Sequence, residues 1–321
     1  MKKILVIGGS GFVGRNITLT PEKFESYSLD RVTPTELSSI YVKCFKLDIS
    51  DDEVFQIVSS INPDIVLILA GKQFETPIQK RRNRRKSFDE NRVIAEKVVA
   101  IVRKTPSINQ VIYVSTDMVY GKPETQLITE SISPKPIGEY GKSKLKAEEI
   151  LSEYLDKLVV IRPRLIVGPG REGTISKLAK FVSLGLPVPI IGNGSNRYQM
   201  ISVFDLWNAI DTCISKNARG VFNVGSRNPP PINDLFKCVL VDLGKNTKVV
   251  HLPKKITELC LSFLDFFGFS PLAPEQFMIA GRDCVLDTKK IEDLGWSPHH
   301  SDREMLTQSL KVLIQKENIL K

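Results

Sequence analysis

The chain has 321 residues, 42% of them hydrophobic and 25% charged, so it is long enough for two lobes and has an ordinary globular composition. Its net charge is +9, and six positive charges come from one run at 80–86; outside that run 39 basic residues face 36 acidic ones, an excess of +3. A single basic run without interleaved aromatic residues favours a solvated face over an anionic partner or membrane surface, and excludes a recognisable nucleic-acid module.

The cysteines and the apolar runs indicate the cellular setting. The five cysteines are scattered and form no CxxC pair, which predicts reduced thiols and argues against a zinc site or a disulfide framework. The first apolar run, residues 4–7, is too short for a signal peptide, and no stretch is long enough to span a bilayer. We therefore expect a cytoplasmic protein without a bound metal.

The chain opens with KKILVIGGSGFVG, a short apolar run followed by evenly spaced glycines. An unbroken apolar run suits a strand buried on both faces of a parallel sheet. Gly8 permits a tight turn, Gly11 lets the backbone approach a pyrophosphate, and Gly14 lets the next helix pack closely. That helix, expected from Phe12 to about Thr18, would direct its N–H groups at the anion. The stretch therefore predicts a dinucleotide-binding turn.

The next two predicted strands end in acidic residues. The strand at 26–29 ends at Asp30, about 20 residues after the glycines, where NAD sites hold the adenosine ribose. A carboxylate there repels the extra phosphate of NADP, whereas the neighbouring Arg31 would accommodate it; we favour NAD and leave NADP open. Asp48, at the next strand end, either accepts a hydrogen bond from the adenine amino group or caps a helix that starts near Asp51.

Further apolar strands are predicted at 64–70 and 110–115, with a helix through about Lys104 between them. Strands that alternate with helices at this spacing give a doubly wound parallel sheet, and such sheets bind ligands at the carboxyl ends of the strands. One crevice should therefore be lined by Gly8, Asp30, Gly71 and residues 115–117. The predicted fold class is α/β, a Rossmann-like doubly wound parallel sheet.

The second half of the chain predicts the rest of this sheet and a smaller lobe. We expect strands at 158–162 and 221–224, helices at 174–185 and 204–215, and a loop at 187–194. The domains are a cofactor-binding domain, 1–165 with 200–226 returning to it, and a mainly helical C-terminal substrate lobe, 166–199 and 227–321. The very apolar stretch 259–269 predicts a helix packed into the core; a membrane-surface helix ranks below it because the polar face is not basic.

The candidate for chemistry is YGKSK, residues 140–144. On a helix Tyr140 and Lys144 lie four residues apart on one face. The ammonium favours the phenolate, so we expect the pKa of Tyr140 to move down from about 10 toward neutrality. Such a tyrosine exchanges a proton with an alcohol while a nicotinamide exchanges the hydride. Thr116, at a strand end upstream, is placed to hydrogen-bond the reacting oxygen.

Together these motifs resemble the extended short-chain dehydrogenase/reductase family, and more narrowly its nucleotide-sugar epimerase, dehydratase and reductase branch. The resemblance covers nearly the whole chain in the family's order, through GxxGxxG at 8–14, STDMVYG at 115–121, YGKSK at 140–144, RPRLIVGPG at 162–170, SVFDLWNAI at 202–210, FNVGS at 222–226 and DTKKIEDLGWSP at 287–298. It implies an NAD(P)-dependent enzyme that acts on a nucleotide sugar. We expect a homodimer that binds no nucleic acid.

The resemblance also implies roles for individual residues. Tyr140 would be the acid and base, Lys144 would hold the nicotinamide ribose and lower the tyrosine pKa, Thr116 would fill the Ser/Thr position, and Asn91 matches a family asparagine. The cofactor contacts would be Gly8, Gly11, Phe12, Val13, Gly14, Asp30, Arg31, Asp48, Ile49, Ala70, Gly71, Ser115, Tyr140 and Lys144. The substrate contacts would be Lys72, Asp117, Met118, Arg164, Arg197 and Arg282. Arg197 and Arg282 would reach the diphosphate, and a surface ion pair is an equally good explanation of each.

Two departures from the family pattern narrow the activity. Dehydratases carry Thr-Asp-Glu where this chain has Thr116, Asp117 and Met118, and a methionine does not move a proton, which argues against dehydration. Leu165 replaces the asparagine that many epimerases carry in RPxN, so the pyrophosphate contact there must differ.

Four functions stay open from the sequence. The first is an NAD-dependent nucleotide-sugar 4-epimerase that works through a transient 4-keto sugar and keeps its NAD. The second is an NAD(P)H-dependent reductase of 4-keto-6-deoxy nucleotide sugars, which uses the same residues but exchanges its cofactor. Below these rank an epimerase of a lipid-linked sugar, suggested by the basic run and the clustered phenylalanines, and a non-catalytic nucleotide-binding scaffold, against which the intact Thr116, Tyr140 and Lys144 argue.

Overall fold

A parallel sheet of seven strands is the centre of the computed structural model, which describes residues 1–32, 40–71, 81–171 and 173–319. The strands are β1 (Lys2–Ile7), β2 (Phe24–Asp30), β3 (Lys43–Lys46), β4 (Ile65–Ile68), β5 (Gln110–Val114), β6 (Leu127–Ile128), β7 (Leu158–Pro163), β8 (Leu165–Val167), β9 (Val188–Ile191), β10 (Met200–Ser202), β11 (Gly220–Val224), β12 (Val249–Leu252) and β13 (Val285–Leu286). The main sheet has the order β11-β7-β5-β4-β1-β2-β3, with every neighbouring pair parallel. The predicted α/β fold is confirmed.

The helices of the described residues are α1 (Glu53–Ile61), α2 (Arg81–Lys104), α3 (Glu139–Tyr154), α4 (Thr174–Ser183), α5 (Val203–Ser215), α6 (Ile232–Asp242), α7 (Lys254–Phe266), α8 (Pro274–Phe277), α9 (Lys289–Glu292) and α10 (Asp302–Ile319), with a 3₁₀ turn at Asp117–Tyr120. Among them α5 covers one face of the seven-stranded sheet, and α1, α2 and α3 cover the other. Helices on both faces explain why the central strands read as unbroken apolar runs.

Strand β1 shows how the two faces divide the core. Ile4 and Val6 belong to one buried cluster and Leu5 and Ile7 to another, since successive side chains of a strand point to opposite faces. The first cluster includes α5 residues, and the second includes residues of α1, α2 and α3. The sheet is therefore the wall between two cores, and its carboxyl edge is left for ligands.

The helix expected from Phe12 to about Thr18 is wrong: the described residues 8–16 form turns and no regular helix. Single helical contacts occur, such as Arg15 N–H to Gly11 O at 3.0 Å. The segment stops there because Pro21 lacks an N–H donor and β2 already begins at Phe24. The predicted phosphate contact would therefore be made by local amides of this turn, without the dipole of a regular helix.

Short parallel ladders replace a predicted loop in the C-terminal half. β9 pairs with β12, β8 with β10, and β6 with β13. The loop expected at 187–194 is wrong over 188–191, where Val188 and Ile190 are buried and the flanking prolines disguised the alternation. A third buried cluster is built from α4, α6 and α10 with the β8–β10 and β9–β12 ladders, whereas Ile128 of β6 and Leu286 of β13 belong to a separate small cluster. The division into two domains at residue 165 stays a prediction.

The stretch 259–269 does not pack into the core as predicted. Most of its apolar side chains, including Phe263, Phe266 and Phe269, are exposed, whereas Leu261 is buried. Of the basic run at 80–86, Lys80 lies outside the described residues, and 81–86 form the first turns of α2. Within the described ranges, no helix is long and apolar enough to cross a membrane.

Gly14→Ala is expected to destabilise the fold, because the added Cβ would overlap with the backbone carbonyl of Gly9. We expect the free energy of unfolding, measured with urea, to fall by about 1–3 kcal/mol, as for other overpacked sites. Gly11→Ala is the matched control, since its Cβ would lie 3.3 Å from Gly8 O and meet nothing closer. Equal losses of stability in the two variants would contradict the assignment of Gly14 to close packing.

Candidate active site

The glycine turn lies where three strands end. Gly8 N–H donates to Leu29 O at 2.9 Å, and Ala70 N–H donates to Ile7 O at 2.8 Å, which joins β1 to β2 and β4. Gly8 has a φ of +89°, and a Cβ there would lie 2.5 Å from Ala70 N. Only glycine fits this position, because a side chain would meet both backbone strain and the next strand.

The adenosine end of the predicted site is rich in carboxylates. Asp30 Oδ2 accepts from the Ser10 N–H in the glycine turn at 3.0 Å. Arg31 is not directed at a free phosphate position: its Nε lies 2.8 Å from Asp48 Oδ2 and its Nη2 lies 3.5 Å from Glu90 Oε2. Two carboxylates thus engage the guanidinium and a third, Asp30, lies beside the glycine turn, and this balance of charge disfavours an additional phosphate.

Asp48 fixes a turn and does not cap a helix. Its Oδ1 accepts from the Ser50 N–H at 2.9 Å and from the Ser50 hydroxyl, whereas the N-cap position of α1 is Asp52. The Ser50 hydrogen bonds and the Arg31 charge hold the pKa of Asp48 below its usual range. The helix-cap alternative is wrong, and the adenine contact stays a prediction, as does that of the buried neighbour Ile49.

Lys144 is a buried cation at the centre of the site. Its Nζ donates to Val114 O at 2.9 Å and lies 4.6 Å from the centre of the Tyr113 ring. A Cβ on Gly71 would be 2.7 Å from this Nζ, so the end of β4 and Lys144 share one small space. Burial lowers the pKa of Lys144 to about 8, against the opposing charge of Glu148.

A hydrogen-bond chain between α2 and α3 orients the helix that carries Lys144. Asn91 Nδ2 donates to Ser143 Oγ at 2.8 Å, and Ser143 Oγ donates to Tyr140 O at 2.9 Å. Asn91 is the family asparagine singled out in the sequence. Ser143 was missed as a functional residue, although it lies inside the YGKSK motif.

The Ser115–Asp117 segment follows β5 on the same edge. Thr116 Oγ1 accepts from the Met118 N–H at 3.2 Å and so caps the 3₁₀ turn. Ser115 Oγ is buried and has no hydrogen-bond partner among the described residues. A Cβ on Gly141 would lie 2.6 Å from Met118 O, so the turn and α3 are in direct backbone contact.

Asp117 forms a buried ion pair with Arg164. Arg164 Nη1 donates to Asp117 Oδ2, and both side chains are less than a tenth exposed. The guanidinium also lies 4.2 Å from the centre of the Tyr198 ring, while its Nε and Nη2 have no hydrogen-bond partner in the described ranges. Asp117 is thus neutralised by a cation, and the remaining N–H groups of Arg164 are available to a ligand.

The pKa of Tyr140 is raised, whereas the sequence predicts that it is lowered. Burial, and more weakly the charge of Glu275, raise the pKa of Tyr140 to about 12, whereas the charge of Arg171 opposes the rise. Lys144 is engaged with Val114 O and has a lowered pKa of its own, so its charge gives the phenol less help than the spacing suggested. The predicted shift toward neutrality is therefore wrong for the protein alone.

Arg171, Glu275 and Tyr198 are site residues that sequence reasoning missed. The Arg171 guanidinium lies 5.2 Å from the centre of the Phe12 ring, which connects the 168–171 loop to the glycine turn. Glu275 on α8 is buried, and its carboxylate occupies the space that a Cβ on Gly138 would need. The GPGREG sequence was the available signal for Arg171, but nothing in the sequence pointed to Glu275.

The remaining predicted substrate residues are dispersed. Arg197 is paired with Asp283, which accepts from its N–H at 2.7 Å and its Nη2 at 2.9 Å, so the ion-pair explanation describes it. Arg282 is exposed, its N–H donates to Ile279 O at 3.2 Å, and its carbonyl accepts from Asn196 Nδ2 at 3.3 Å. Met118 lies in the 3₁₀ turn that Thr116 caps. Lys72 lies outside the described residues.

The described residues also contain no group of three His, Cys, Asp or Glu side chains able to hold a metal ion. A comparison with protein families decides the class. The model of the NAD dependent epimerase/dehydratase family matches residues 4–225, more than half of the chain. The chain belongs to this family. The resemblance to the nucleotide-sugar branch of the extended short-chain dehydrogenases is thereby confirmed.

Relatives within the NAD dependent epimerase/dehydratase family differ in reaction. A dTDP-D-glucose 4,6-dehydratase of Mus musculus is 26% identical over 318 residues, 92% of this chain and 84% of the relative. An N-acetyl-alpha-D-glucosaminyl-diphospho-ditrans,octacis-undecaprenol 4-epimerase of Escherichia coli O157:H7 is 27% identical over 261 residues, 78% of this chain and 75% of the relative. The crystal structure of a Thermotoga maritima UDP-glucose 4-epimerase with UDP-glucose superposes with a TM-score of 0.77 at 22% identity and covers 99% of both chains. The structural likeness shows the fold.

Lys144→Met is expected to change how stability depends on pH. In the unfolded chain Lys144 keeps its proton up to its ordinary pKa of 10.5, but in the folded protein it loses it near 8. The unfolded state therefore binds more protons between these values, and wild-type stability rises with pH relative to the variant. The free energy of unfolding of the wild type minus that of Lys144→Met should therefore become more positive by about 2–3 kcal/mol from about pH 7 to about pH 10. A pH-independent difference would show that Lys144 isn't a buried cation.

Arg164→Met is expected to leave the Asp117 carboxylate buried without its cation. Loss of one partner of a buried ion pair costs about 3–5 kcal/mol, so urea unfolding should show a loss of that size. The double variant Asp117→Asn, Arg164→Met removes both charges and should recover a large part of the loss. If the two single losses simply add in the double variant, the pair doesn't interact as described.

Proposed function

We propose that this protein is an NAD-dependent 4-epimerase of nucleotide sugars. The observation that carries the proposal is the shared position of Thr116, Tyr140 and Lys144. The turn that holds Thr116 is in backbone contact with α3 at Gly141, and Lys144 lies against Gly71 at the end of β4. A proton-transfer pair and a dinucleotide turn thus lie at the carboxyl edge of one sheet, as hydride exchange at a sugar hydroxyl requires.

The residues at this edge fit a dinucleotide. Gly8 and Gly9 follow β1 without side chains, and Asp30, which accepts from the Ser10 N–H of the same turn, would bind the adenosine ribose diol. Ser115 Oγ is a buried polar atom without a partner in the described chain, and such an atom is satisfied by a ligand. When bound, NAD supplies the hydride acceptor and donor for the sugar carbon.

The charges near Arg31 support NAD over NADP. A guanidinium without a carboxylate partner can bind a 2′-phosphate, but Arg31 is already paired with Asp48 and Glu90. Asp30 adds a third carboxylate beside the glycine turn. An extra phosphate would have to displace these carboxylates, whereas a ribose diol donates hydrogen bonds to them.

Tyr140 would take the proton from the C4 hydroxyl as that carbon is oxidised to a ketone, and return it when the ketone is reduced from the other face. Because its pKa is about 12 in the protein alone, it needs a neighbouring cation to act near neutral pH. Arg171, whose charge lowers the pKa of Tyr140, and Lys144 are the cations on hand. The Thr116 hydroxyl would donate to the same sugar oxygen and hold it during the exchange.

The Asp117–Arg164 pair supports epimerisation over dehydration. A dehydratase needs a carboxyl group that gives and takes protons near the sugar, and the carboxylate of Asp117 is instead bound to a buried guanidinium. Met118 offers no proton, so the turn retains one carboxylate, and that carboxylate is engaged by Arg164.

A reductase of 4-keto-6-deoxy nucleotide sugars would use the same residues and is the second candidate. An epimerase of a lipid-linked sugar diphosphate is supported by the E. coli relative and by the exposed phenylalanines of α7. The intact Thr116, Tyr140 and Lys144 argue against a scaffold without activity. The homodimer and the cytoplasmic location stay predictions.

Two measurements on the purified protein test the proposal. The first is denaturation without added cofactor, which should release about one NAD per chain, since an epimerase regenerates its cofactor in every cycle and has no need to exchange it. The second is incubation with UDP-glucose alone, which should give the C4 epimer.

Tyr140→Phe is the matched variant, because it removes one hydroxyl. It should retain NAD while the rate falls by about 10²–10⁴-fold. An unchanged rate in Tyr140→Phe would remove Tyr140 from the chemistry. A protein that releases no nucleotide, yet oxidises NADH or NADPH when given a 4-keto-6-deoxy nucleotide sugar, would establish the reductase instead.

A further inference from the structure

Helix α7 and the loop after it present an apolar surface to solvent. It consists of six side chains, each 55–72% exposed: Ile256, Leu259, Phe263, Phe266, Phe267 and Phe269. We call this the α7 surface. Single exposed apolar residues are ordinary, whereas a contiguous patch of large ones marks a site of interaction.

The spacing shows that four residues of the α7 surface form a continuous stripe along the helix. Ile256, Leu259, Phe263 and Phe266 follow one another at intervals of three or four residues, so they lie on one face of the helix. The other face carries Leu261, which is buried. The phenylalanines also pack on one another, with ring centres 4.9 Å apart for Phe263 and Phe267. An amphipathic helix normally turns its apolar stripe to the core. In α7 the stripe that contains Phe263 and Phe266 faces solvent instead.

Lysines lie at both ends of the α7 surface. Lys254 and Lys255 begin the helix, and Lys177 of α4 donates from its Nζ to Pro271 O at 2.7 Å, just beyond Phe269. Glu258 and Asp265 are the carboxylates between them. The lysines stand at the ends of the exposed aromatic stripe and not along a basic polar face, so they are placed to meet anionic head groups while the stripe enters the bilayer interface.

We propose that the α7 surface docks this protein on a lipid bilayer that carries anionic head groups. Three lysines against the two carboxylates Glu258 and Asp265 leave the α7 surface an excess of one positive charge, which favours a bilayer over a second copy of the chain. A symmetric second copy would bring the same positive excess to the contact, whereas anionic head groups bring the opposite charge. This inference goes beyond the proposed function and does not depend on which sugar is the substrate.

The docking surface is one short helix away from the candidate site. α7 is followed by α8, and α8 carries the buried Glu275. The Glu275 carboxylate fills the space beside Gly138, immediately before α3 and Tyr140. A bilayer on the α7 surface would therefore contact the segment that closes one side of the site.

Flotation of the full chain with phospholipid vesicles tests the proposal. Wild-type protein should float with phosphatidylcholine vesicles that contain phosphatidylglycerol, and less with phosphatidylcholine alone, and added salt should weaken binding because part of the attraction is electrostatic. The double variant Phe263→Ser, Phe266→Ser should lose at least about tenfold in vesicle partitioning, since two buried aromatic side chains are removed from the interface.

Val241→Ser is the matched control, because Val241 is 75% exposed on α6 and outside the α7 surface; it should bind like wild type. Wild-type protein that stays unbound with both vesicle types would overturn the proposal, and so would a double variant that floats equally well. Sedimentation velocity decides on the second copy. An association state that is unchanged in the double variant supports the bilayer, whereas a wild-type dimer that the substitutions dissociate would overturn it.

Discussion

The buried ammonium of Lys144 is the interaction on which the rest of the site depends. A charge removed from water is unfavourable unless it is paired or hydrogen-bonded, and the protein offers it the carbonyl of Val114 and the face of Tyr113. The strand end at Gly71 leaves room for it only because that residue has no side chain. The Asn91–Ser143 link then holds α3 in the orientation that keeps Lys144 there. The carboxyl edge of the sheet, the pair of helices α2 and α3, and Gly71 thus together position the Lys144 ammonium.

The Asp117–Arg164 pair keeps a carboxylate at a position of the family motif while binding it to a cation. The position that precedes Met118 keeps a carboxylate, but the carboxylate is committed to a buried guanidinium. In the proposed function, proton transfer is therefore assigned to Tyr140. The unsatisfied N–H groups of Arg164 turn a residue that stabilises the fold into one that can also bind a ligand.

The strands and the motif residues could be predicted because each depends on local sequence. Wholly apolar runs such as the one at β1 must be buried on both faces, and GxxGxxG, Thr116 and the YGKSK helix belong to patterns that read along the chain. What could not be predicted depends on distant residues. Arg31 is held by Asp48 and Glu90, and Glu275 comes to Gly138 from far along the sequence. Likewise, hydropathy predicts that α7 is amphipathic but not which way its apolar stripe faces.

The contact between Gly141 and the carbonyl of Met118 has a mechanical consequence. With backbone against backbone, the turn that holds Thr116 and the helix that holds Tyr140 cannot approach each other any further. Any side chain at position 141 would push the two elements apart, and with them the residues that carry the two hydroxyl groups. In the proposed epimerase this glycine would therefore set the spacing between the two groups that hold the sugar oxygen.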